Sequence, residues 1–214
     1  VMAQIVTATI EDLPRLAKCH RSAFPKTLST AMGEKYVEKM LEWYLVDDRA
    51  FIFLLEENDQ CVGYCGGLKF DGTTRVGSAS SMIQHSYNAA VKAILSRPWL
   101  LAHSEFLSKY KLMLRNVWKR MTRNKRTLNV SVIHPRSSEP HAGLVVIGVN
   151  PAYQGKGYGS RLLQEFEAVS KEMGFKKIKL TVKAGNAQAI KSYQRNGWNV
   201  DSNDGKSVAM SKNI

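Results

Sequence analysis

A glycine-rich turn between a predicted strand and a predicted helix constrains this chain more than any other sequence feature. The apolar run over 142–149 predicts a buried strand, and residues 160–173 have the apolar spacing of an amphipathic helix. Between them, Gly155, Gly157 and Gly159 let backbone N–H groups turn toward one point at the helix N-terminus. Such a point favours an anion, and the expected guest is a phosphate or pyrophosphate. A tight strand–helix turn without a ligand is the alternative that the glycines alone leave open.

Predicted strands and helices alternate along the chain and include one hairpin. The hairpin consists of residues 50–55 and 61–70 around a turn at 57–60. A strand and two amphipathic helices precede it, and a series of strands alternating with helices closes the chain. This order predicts an α/β fold, with a mixed sheet covered by helices, in a single domain over 1–214.

Residues 74–140 interrupt this order as a predicted helical insertion. From Thr74 to Arg126 there are eleven basic residues and one acid, Glu105, so this segment carries +10 of the net charge of +13. Apolar residues over 104–123 recur at helical spacing with Lys and Arg beside them, which predicts a basic amphipathic helix. Three interpretations stay open: a solvated basic face, an electrostatic funnel for an anionic small molecule, and docking on anionic lipid. Nucleic acid is not expected, because the segment has no interleaved aromatic platform.

Two motifs together resemble the GCN5-related N-acetyltransferase (GNAT) superfamily. The turn lacks the Gly-Lys-Ser/Thr of a nucleotide P-loop, and no acid follows at the distance that a dinucleotide fold requires. It does match the superfamily's phosphate-binding pattern, Gln154-x-x-Gly157-x-Gly159, and a second pattern follows, Asn186-x-x-Ala189-x-x-x-Tyr193-x-x-x-Gly197-Trp198. The resemblance is close over 142–200, loose over 1–70 and absent over about 74–140. It implies a GNAT-type mixed, mostly antiparallel sheet flanked by helices, with the helical insertion added.

The resemblance further implies that the chain binds acetyl-CoA as a co-substrate. The pyrophosphate would lie on the amides of 154–159, and the pantetheine would pair like a short strand with the central strand. Amides near 147–149 would polarise the thioester carbonyl, and Asn186 would contact the coenzyme or cap its own helix. The predicted acetyl-CoA-binding residues are Ile147, Gly148, Val149, Gln154, Gly155, Lys156, Gly157, Tyr158, Gly159, Ser160, Asn186 and Ala189.

Two residues are predicted to be catalytic on the same basis. Tyr193 matches the position that protonates the leaving thiolate, and a phenol with a pKa near ~10 suits that role; packing beneath Trp198 is the alternative. The acceptor amine must also lose a proton. Many relatives carry a glutamate where this chain has Gly143. His141 is the predicted base because its unperturbed pKa lies near ~6.5, and the open alternatives are a water chain, Glu139, His134, Cys65 and Tyr64.

The function that these features predict is acetyl-CoA-dependent N-acetylation, in which a primary amine attacks the thioester directly within a ternary complex. The order and spacing of the N-terminal helices around 28–37 resemble those of acetyltransferases from surface-polysaccharide pathways, which favours an amino sugar or another anionic small molecule as acceptor. A non-catalytic module that binds CoA or docks on a membrane surface is the alternative. The sequence does not predict an oligomeric state.

Cysteine content and hydropathy bear on location and on metals. The odd count of Cys19, Cys61 and Cys65, without a basic and apolar leader, predicts reduced thiols in a cytoplasmic protein. No apolar run approaches the ~18 residues that cross a bilayer, so no transmembrane segment is expected. No metal is expected either, because no second Cys or His pair stands near the C-x3-C spacing to complete four ligands.

Overall fold

Seven strands form one sheet among the residues that the structure, a computed structural model, describes: 3–72, 78–107 and 139–214. The order of strands across the sheet is β1-β2-β3-β4-β5-β7-β6. Their bounds are β1 (Gln4–Thr7), β2 (Ala50–Glu57), β3 (Gln60–Phe70), β4 (His141–Val149), β5 (Lys177–Lys183), β6 (Asn199–Asn203) and β7 (Ser207–Asn213).

Each neighbouring pair in this sheet is antiparallel except the central pair, β4 and β5, which is parallel. The helices among the described residues are α1 (Leu13–Ala23), α2 (Leu28–Ala31), α3 (Glu34–Val46), α4 (Ser78–His85), α5 (Tyr87–Ser96), α6 (Tyr158–Glu172) and α7 (Ala187–Arg195). The predicted α/β fold with a mixed, mostly antiparallel sheet flanked by helices is therefore confirmed.

The two sheet faces bury separate apolar clusters. Helices α1 and α3 pack on one face through Leu16, Val37 and Leu41, all fully buried. Helix α6 packs on the opposite face through Leu162 and Phe166, also fully buried. Because side chains alternate along a strand, β2, β3 and β4 each contribute to both clusters. This arrangement places β3 and β4 between two layers of helix.

The insertion is described only in part. The sequence predicts one helix over residues 81 to about 95, and the structure has two helices there, α4 and α5, separated at Ser86. The buried Ser86 hydroxyl donates to the Met82 carbonyl at 2.9 Å, which satisfies it where the two helices meet. Residues 104–107 are helical, and the rest of the basic helix predicted over 104–123 lies outside the described residues. Within the described ranges, no helix combines the length and apolar character needed to cross a bilayer.

A bulge in β4 opens a gap in the middle of the sheet. Opposite β3, Gly66 pairs with Val146 and Gly67 with Leu144, so Val145 is an extra residue in β4. On its other side, β4 pairs with β5 only over 142–144. Beyond that point, the two parallel strands separate, and the second half of β4 has an edge that no described strand covers.

Candidate functional site

A cleft of about 790 Å³ lies along this gap. Its walls come from the end of α1, the second half of β4, the glycine turn with the start of α6, and α7. The lining residues are Ala23, Phe24, Val145, Val146, Ile147, Gly148, Val149, Tyr153, Gln154, Gly155, Gly157, Tyr158, Gly159, Ser160, Leu163, Asn186, Gln188, Ala189, Ser192, Tyr193, Arg195 and Asn196. The structure thus brings together nearly all the residues predicted to bind acetyl-CoA; of these, only Lys156 is outside the lining.

The glycine turn presents free backbone donors to the cleft. Gly155 and Gly157 have φ of +82° and +79°, the left-handed region that favours glycine. The first backbone hydrogen bond of α6 runs from the Arg161 N–H to the Gly157 carbonyl at 3.1 Å. Among the described residues, no acceptor takes the N–H groups of 155–160. These donors, at the positive end of a helix dipole, form a site suited to an anion.

Side chains of the turn fasten it to the β2–β3 hairpin. The Tyr158 hydroxyl donates to Glu57 at 3.0 Å, and the Lys156 ammonium lies 3.9 Å from the same carboxylate. The Gln154 side chain donates back to the Val149 carbonyl at 3.2 Å. The turn is therefore held open by contacts outside the cleft, while its N–H groups remain exposed to the cleft.

Helix α7 forms another wall of the cleft. The Asn186 side chain accepts from the Ala189 N–H at 3.2 Å, so it caps the helix in addition to lining the cleft. The Asn196 side chain at the other end of α7 donates to the Ser160 hydroxyl at 3.2 Å and ties this helix to the start of α6. Two helix termini thus meet across the cleft through one hydrogen bond.

Tyr193 points its ring into the cleft from α7. Its ring centroid lies 6.0 Å from that of Trp198, so it both lines the cleft and packs against the buried core. Burial raises the pKa of Tyr193 to about 12, and the nearby Cys65 adds to the increase. The phenol therefore stays protonated across the neutral pH range and can donate a proton.

The predicted base His141 lies apart from the cleft lining. It is the first residue of β4, and its ring stacks on Phe70 with centroids 4.8 Å apart. Its Nδ1 is 2.8 Å from the Glu139 carbonyl, which assigns the proton to Nδ1 and leaves Nε2 with a lone pair. Burial, together with Lys179 and Lys177, lowers the pKa of His141.

The ring of Phe70 also occupies the space beside Gly143, the position at which the superfamily resemblance leads one to expect a glutamate. A Cβ atom on Gly143 would stand 2.7 Å from the Phe70 ring, closer than real contacts allow. Any side chain at this position, a carboxylate included, would collide with Phe70 unless that ring moved. The packing of β3 against β4 thus leaves no room for a carboxylate at position 143 while Phe70 keeps this position.

The other candidate bases are placed unfavourably or lie outside the described residues. Tyr64 and Cys65 are fully buried, and burial raises the pKa of each side chain well above its usual range. Glu139 is exposed, with a carboxylate 3.8 Å from the Lys177 ammonium. His134 lies outside the described residues.

Sequence reasoning missed the contribution of α1 to the cleft. Phe24 packs directly on β4, since a Cβ on Gly148 would come within 2.8 Å of its ring. Ala23 and Arg195 line the cleft as well. The only sequence signal for this contact is Gly148 itself, in an otherwise apolar β-branched strand, because a glycine there allows close approach of another group.

Behind Phe24, a buried histidine joins three hydroxyl groups. His20 is 5% exposed, its Nδ1 lies 2.5 Å from the Tyr64 hydroxyl, and its Nε2 lies 3.1 Å from the Ser29 hydroxyl. The Ser29 hydroxyl lies in turn 3.0 Å from the Thr27 hydroxyl, which extends the network. Burial lowers the pKa of His20 to about 4. A neutral ring, which donates from one nitrogen and accepts at the other, fits this network.

The low pKa of His20 predicts an acid-sensitive fold. In the unfolded chain the ring binds a proton below about pH 6.5, whereas the folded chain resists protonation down to about pH 4, so stability falls as pH falls through this window. We expect His20 to contribute a loss of about 2 kcal/mol between pH 7 and pH 5. Urea unfolding at both pH values should show this loss in the wild type and a smaller one in His20→Gln. Equal pH dependence in the two proteins would contradict the assignment.

Comparisons with known proteins agree with this architecture. Residues 122–198 match the sequence model of the Acetyltransferase (GNAT) family. A mycothiol acetyltransferase of Propionibacterium freudenreichii subsp. shermanii is 35% identical over 65 residues, a match that spans 30% of this chain and only 21% of that protein.

Solved structures share the fold over nearly the whole chain. The PaiA N-acetyltransferase of Thermoplasma acidophilum, in complex with coenzyme A, superposes with a TM-score of 0.56 at 15% identity and covers 100% of both chains. The ribosomal-protein-S18-alanine N-acetyltransferase of Escherichia coli gives a TM-score of 0.55 at 18% identity, over 100% of this chain and 94% of its own. The predicted resemblance to the GNAT superfamily is confirmed.

Proposed function

We propose that this chain, which resembles the GNAT superfamily, transfers an acetyl group from acetyl-CoA to a primary amine. The observation that carries the proposal is the set of N–H groups over 155–160, none of which donates to an acceptor in the described ranges, at the mouth of the gap between β4 and β5. A diphosphate accepts hydrogen bonds from such donors, and an extended pantetheine arm pairs with an uncovered strand edge. The cleft joins both features in one continuous groove.

Residues of this chain then have distinct roles in the proposed reaction. Bound acetyl-CoA would supply the acetyl thioester. Amides near Ile147 and Val149 would donate to the thioester oxygen as negative charge develops on it. Tyr193 would donate its proton to the departing thiolate. The amine would attack the carbonyl carbon directly, so no covalent intermediate on the protein is required.

The proposed base remains His141, acting through water. Its Nε2 carries a lone pair, and its lowered pKa keeps the ring neutral at neutral pH. His141 is four residues from Val145, which lines the cleft, so the two residues are about 13 Å apart along the extended strand. That separation exceeds the reach of a direct hydrogen bond, so ordered water would have to connect His141 to the amine.

The phosphate-binding role predicts that Gly157→Glu abolishes CoA binding without unfolding the chain. The glutamate would place a negative charge where the diphosphate is bound, and we expect affinity to fall by more than about tenfold, measured by calorimetry. Gly174→Glu is a matched control, because Gly174 has a similar φ of +83°, has open space around its Cα, and lies at the far end of α6. Both variants should lose about 1–2 kcal/mol of stability. Equal CoA affinity in the two would remove the phosphate-site assignment.

The acid role predicts that Tyr193→Phe lowers kcat while leaving the KM for acetyl-CoA nearly unchanged. The ring contact with Trp198 would persist, and only the proton donor would be lost, so we expect a decrease in kcat of about 10²-fold. Tyr36→Phe on α3, away from the cleft lining, is the control and should retain full activity. An unchanged kcat in Tyr193→Phe would assign this residue to packing alone.

For the acceptor, we propose an anionic small molecule such as a phosphorylated amino sugar. Alternation places Ile178 and Leu180 of β5 in the core beneath α6, so Lys177, Lys179 and Lys183 project from the opposite face. Lys179 lies opposite Gly143 in the β4–β5 pair, and none of the ion pairs among the described residues includes it. Lys179 thus places a positive charge beside Gly143, where the resemblance predicts a glutamate. A positive charge at this position favours an acceptor that carries an anionic group.

An anionic acceptor predicts a salt-dependent rate. Raising ionic strength about tenfold should lower kcat/KM for D-glucosamine 6-phosphate more than for D-glucosamine, because salt screens attraction to the lysines. Lys179→Gln should flatten this difference, and Lys191→Gln on α7 should not. Salt dependence that is the same for both sugars, or unaffected by Lys179→Gln, would remove the anionic-acceptor proposal. A wider screen over amino acids, polyamines and peptides would then identify the amine.

A second candidate function is a non-catalytic module that binds CoA and docks on an anionic membrane surface. Apolar side chains of the insertion favour it, since Ile83, Leu95 and Trp99 are 59%, 77% and 66% exposed. Exposed apolar residues beside a segment with net charge +10 fit a lipid interface. Tight CoA binding without turnover of any amine, together with cosedimentation with phosphatidylserine vesicles, would favour this function over transfer.

A further inference from the structure

We infer that Glu105, a residue of the insertion, binds the ammonium group of the acceptor at the mouth of the cleft, and that the ammonium of Lys183 holds this place in the absence of acceptor. The inference rests on the proposed acetyl transfer. It assigns an acceptor-binding role to a part of the chain that has no counterpart in the two GNAT-like motifs.

The Glu105 carboxylate connects the start of α2 to the end of β5, two segments whose neighbours in the chain line the cleft. One oxygen accepts from the Leu28 N–H at 2.9 Å, and the other lies 3.3 Å from the Lys183 ammonium. Sequence separations of 77 and 78 residues make both contacts invisible to local sequence analysis. The insertion therefore contacts both the start of α2 and the last residue of β5.

Leu28 and Lys183 are each close in the chain to a residue that lines the cleft. The Phe24 carbonyl, on one wall, accepts from the Thr27 hydroxyl at 2.9 Å, so the turn leading to Leu28 folds tightly against the end of α1. On the other wall, the Lys183 carbonyl accepts from the Asn186 N–H at 2.9 Å. Because Phe24 and Asn186 both line the cleft, a carboxylate between Leu28 and Lys183 lies at its entrance.

Lys183 shows which chemical group this carboxylate accepts. A lysine ammonium and a primary-amine acceptor in its protonated form carry the same charge and the same three donors. The Lys183 side chain is 83% exposed, whereas that of Glu105 is 29% exposed. Holding an exposed lysine in such a contact costs side-chain entropy, so an incoming ammonium can displace the Lys183 ammonium easily.

A purely structural role for Glu105, as a latch that docks the insertion, is the alternative. Arg97 already fastens the insertion to the same region, donating to the Ala31 carbonyl at 3.2 Å and packing against Gly33, where a Cβ would meet its guanidinium at 2.4 Å. The insertion thus has an anchor that does not involve the carboxylate. The latch also makes a different prediction, because removing either partner of the Glu105–Lys183 pair would loosen it in the same way.

The deciding experiment is steady-state kinetics of Glu105→Gln and Lys183→Met with each turned-over amine from a panel of D-glucosamine 6-phosphate, L-lysine, spermidine and ethanolamine. Glu105→Gln keeps an oxygen for the Leu28 N–H and loses the negative charge, so the acceptor KM should rise about tenfold. Lys183→Met removes the competing ammonium, so the acceptor KM should fall about threefold. The KM for acetyl-CoA should change less than twofold in both, and Arg97→Met controls for a loosened insertion.

Opposite shifts of the acceptor KM in the two variants support the inference. Shifts in the same direction, or none, would overturn it and leave Glu105 as a latch. Calorimetry with CoA separates this failure from that of the proposed function. A chain that binds CoA but turns over no amine contradicts acetyl transfer and the inference with it, whereas turnover without opposite shifts contradicts the inference alone.

Discussion

Separation of two parallel strands in mid-sheet is the constraint on which the rest of the structure depends. After Leu144 and Leu180 the backbone groups that would have joined β4 to β5 have no strand partner among the described residues. Unpaired polar backbone inside a sheet is costly unless water or a ligand satisfies it. Val145 makes the separation possible, because an extra residue on one strand bends that strand away from its neighbour. A groove with a backbone edge as its floor is the result.

The glycine turn is suited to bind an anion because it lies at the end of this groove. By itself, a run of glycines before a helix is weak evidence of a ligand. Here the strand that leads into it has lost its partner, and the turn is fastened on its outer side to Glu57 of the hairpin. Its N–H groups therefore face the same space as the β4 edge. One extended ligand with a polar arm and an anionic end satisfies both sets of donors, whereas either set alone would fit many ligands.

Local features of the sequence predicted more than distant contacts did. The turn and the two helices that flank the cleft follow from spacing over fewer than about fifty residues, because glycine conformation and helical periodicity are properties of the nearby chain. Tyr193 was predicted from the resemblance to the second superfamily motif and not from periodicity. The close contact that a side chain at position 143 would make involves Phe70, which belongs to another strand. The contact of Phe24 with Gly148 and the hydrogen bond between Glu105 and the Leu28 N–H depend likewise on tertiary packing. The single helix predicted over 81–95 is divided at Ser86, where the side chain is buried, and periodicity does not report such a division.

Protonation states divide the molecule into a neutral interior and a charged rim. Burial raises the pKa of Tyr64 and Cys65 and lowers that of His20, so each of these groups is held in its uncharged form beneath or behind the cleft. Lys183 and Glu105 form an ion pair at the end of β5, and Lys179 lies opposite Gly143 where β4 and β5 are still paired. An ammonium that arrives at the rim is stabilised by a carboxylate, but it cannot enter an interior built for neutral groups without losing its proton. The transfer of that proton is therefore proposed to take place at the boundary between the two regions, where water would connect the amine to the proposed base, His141.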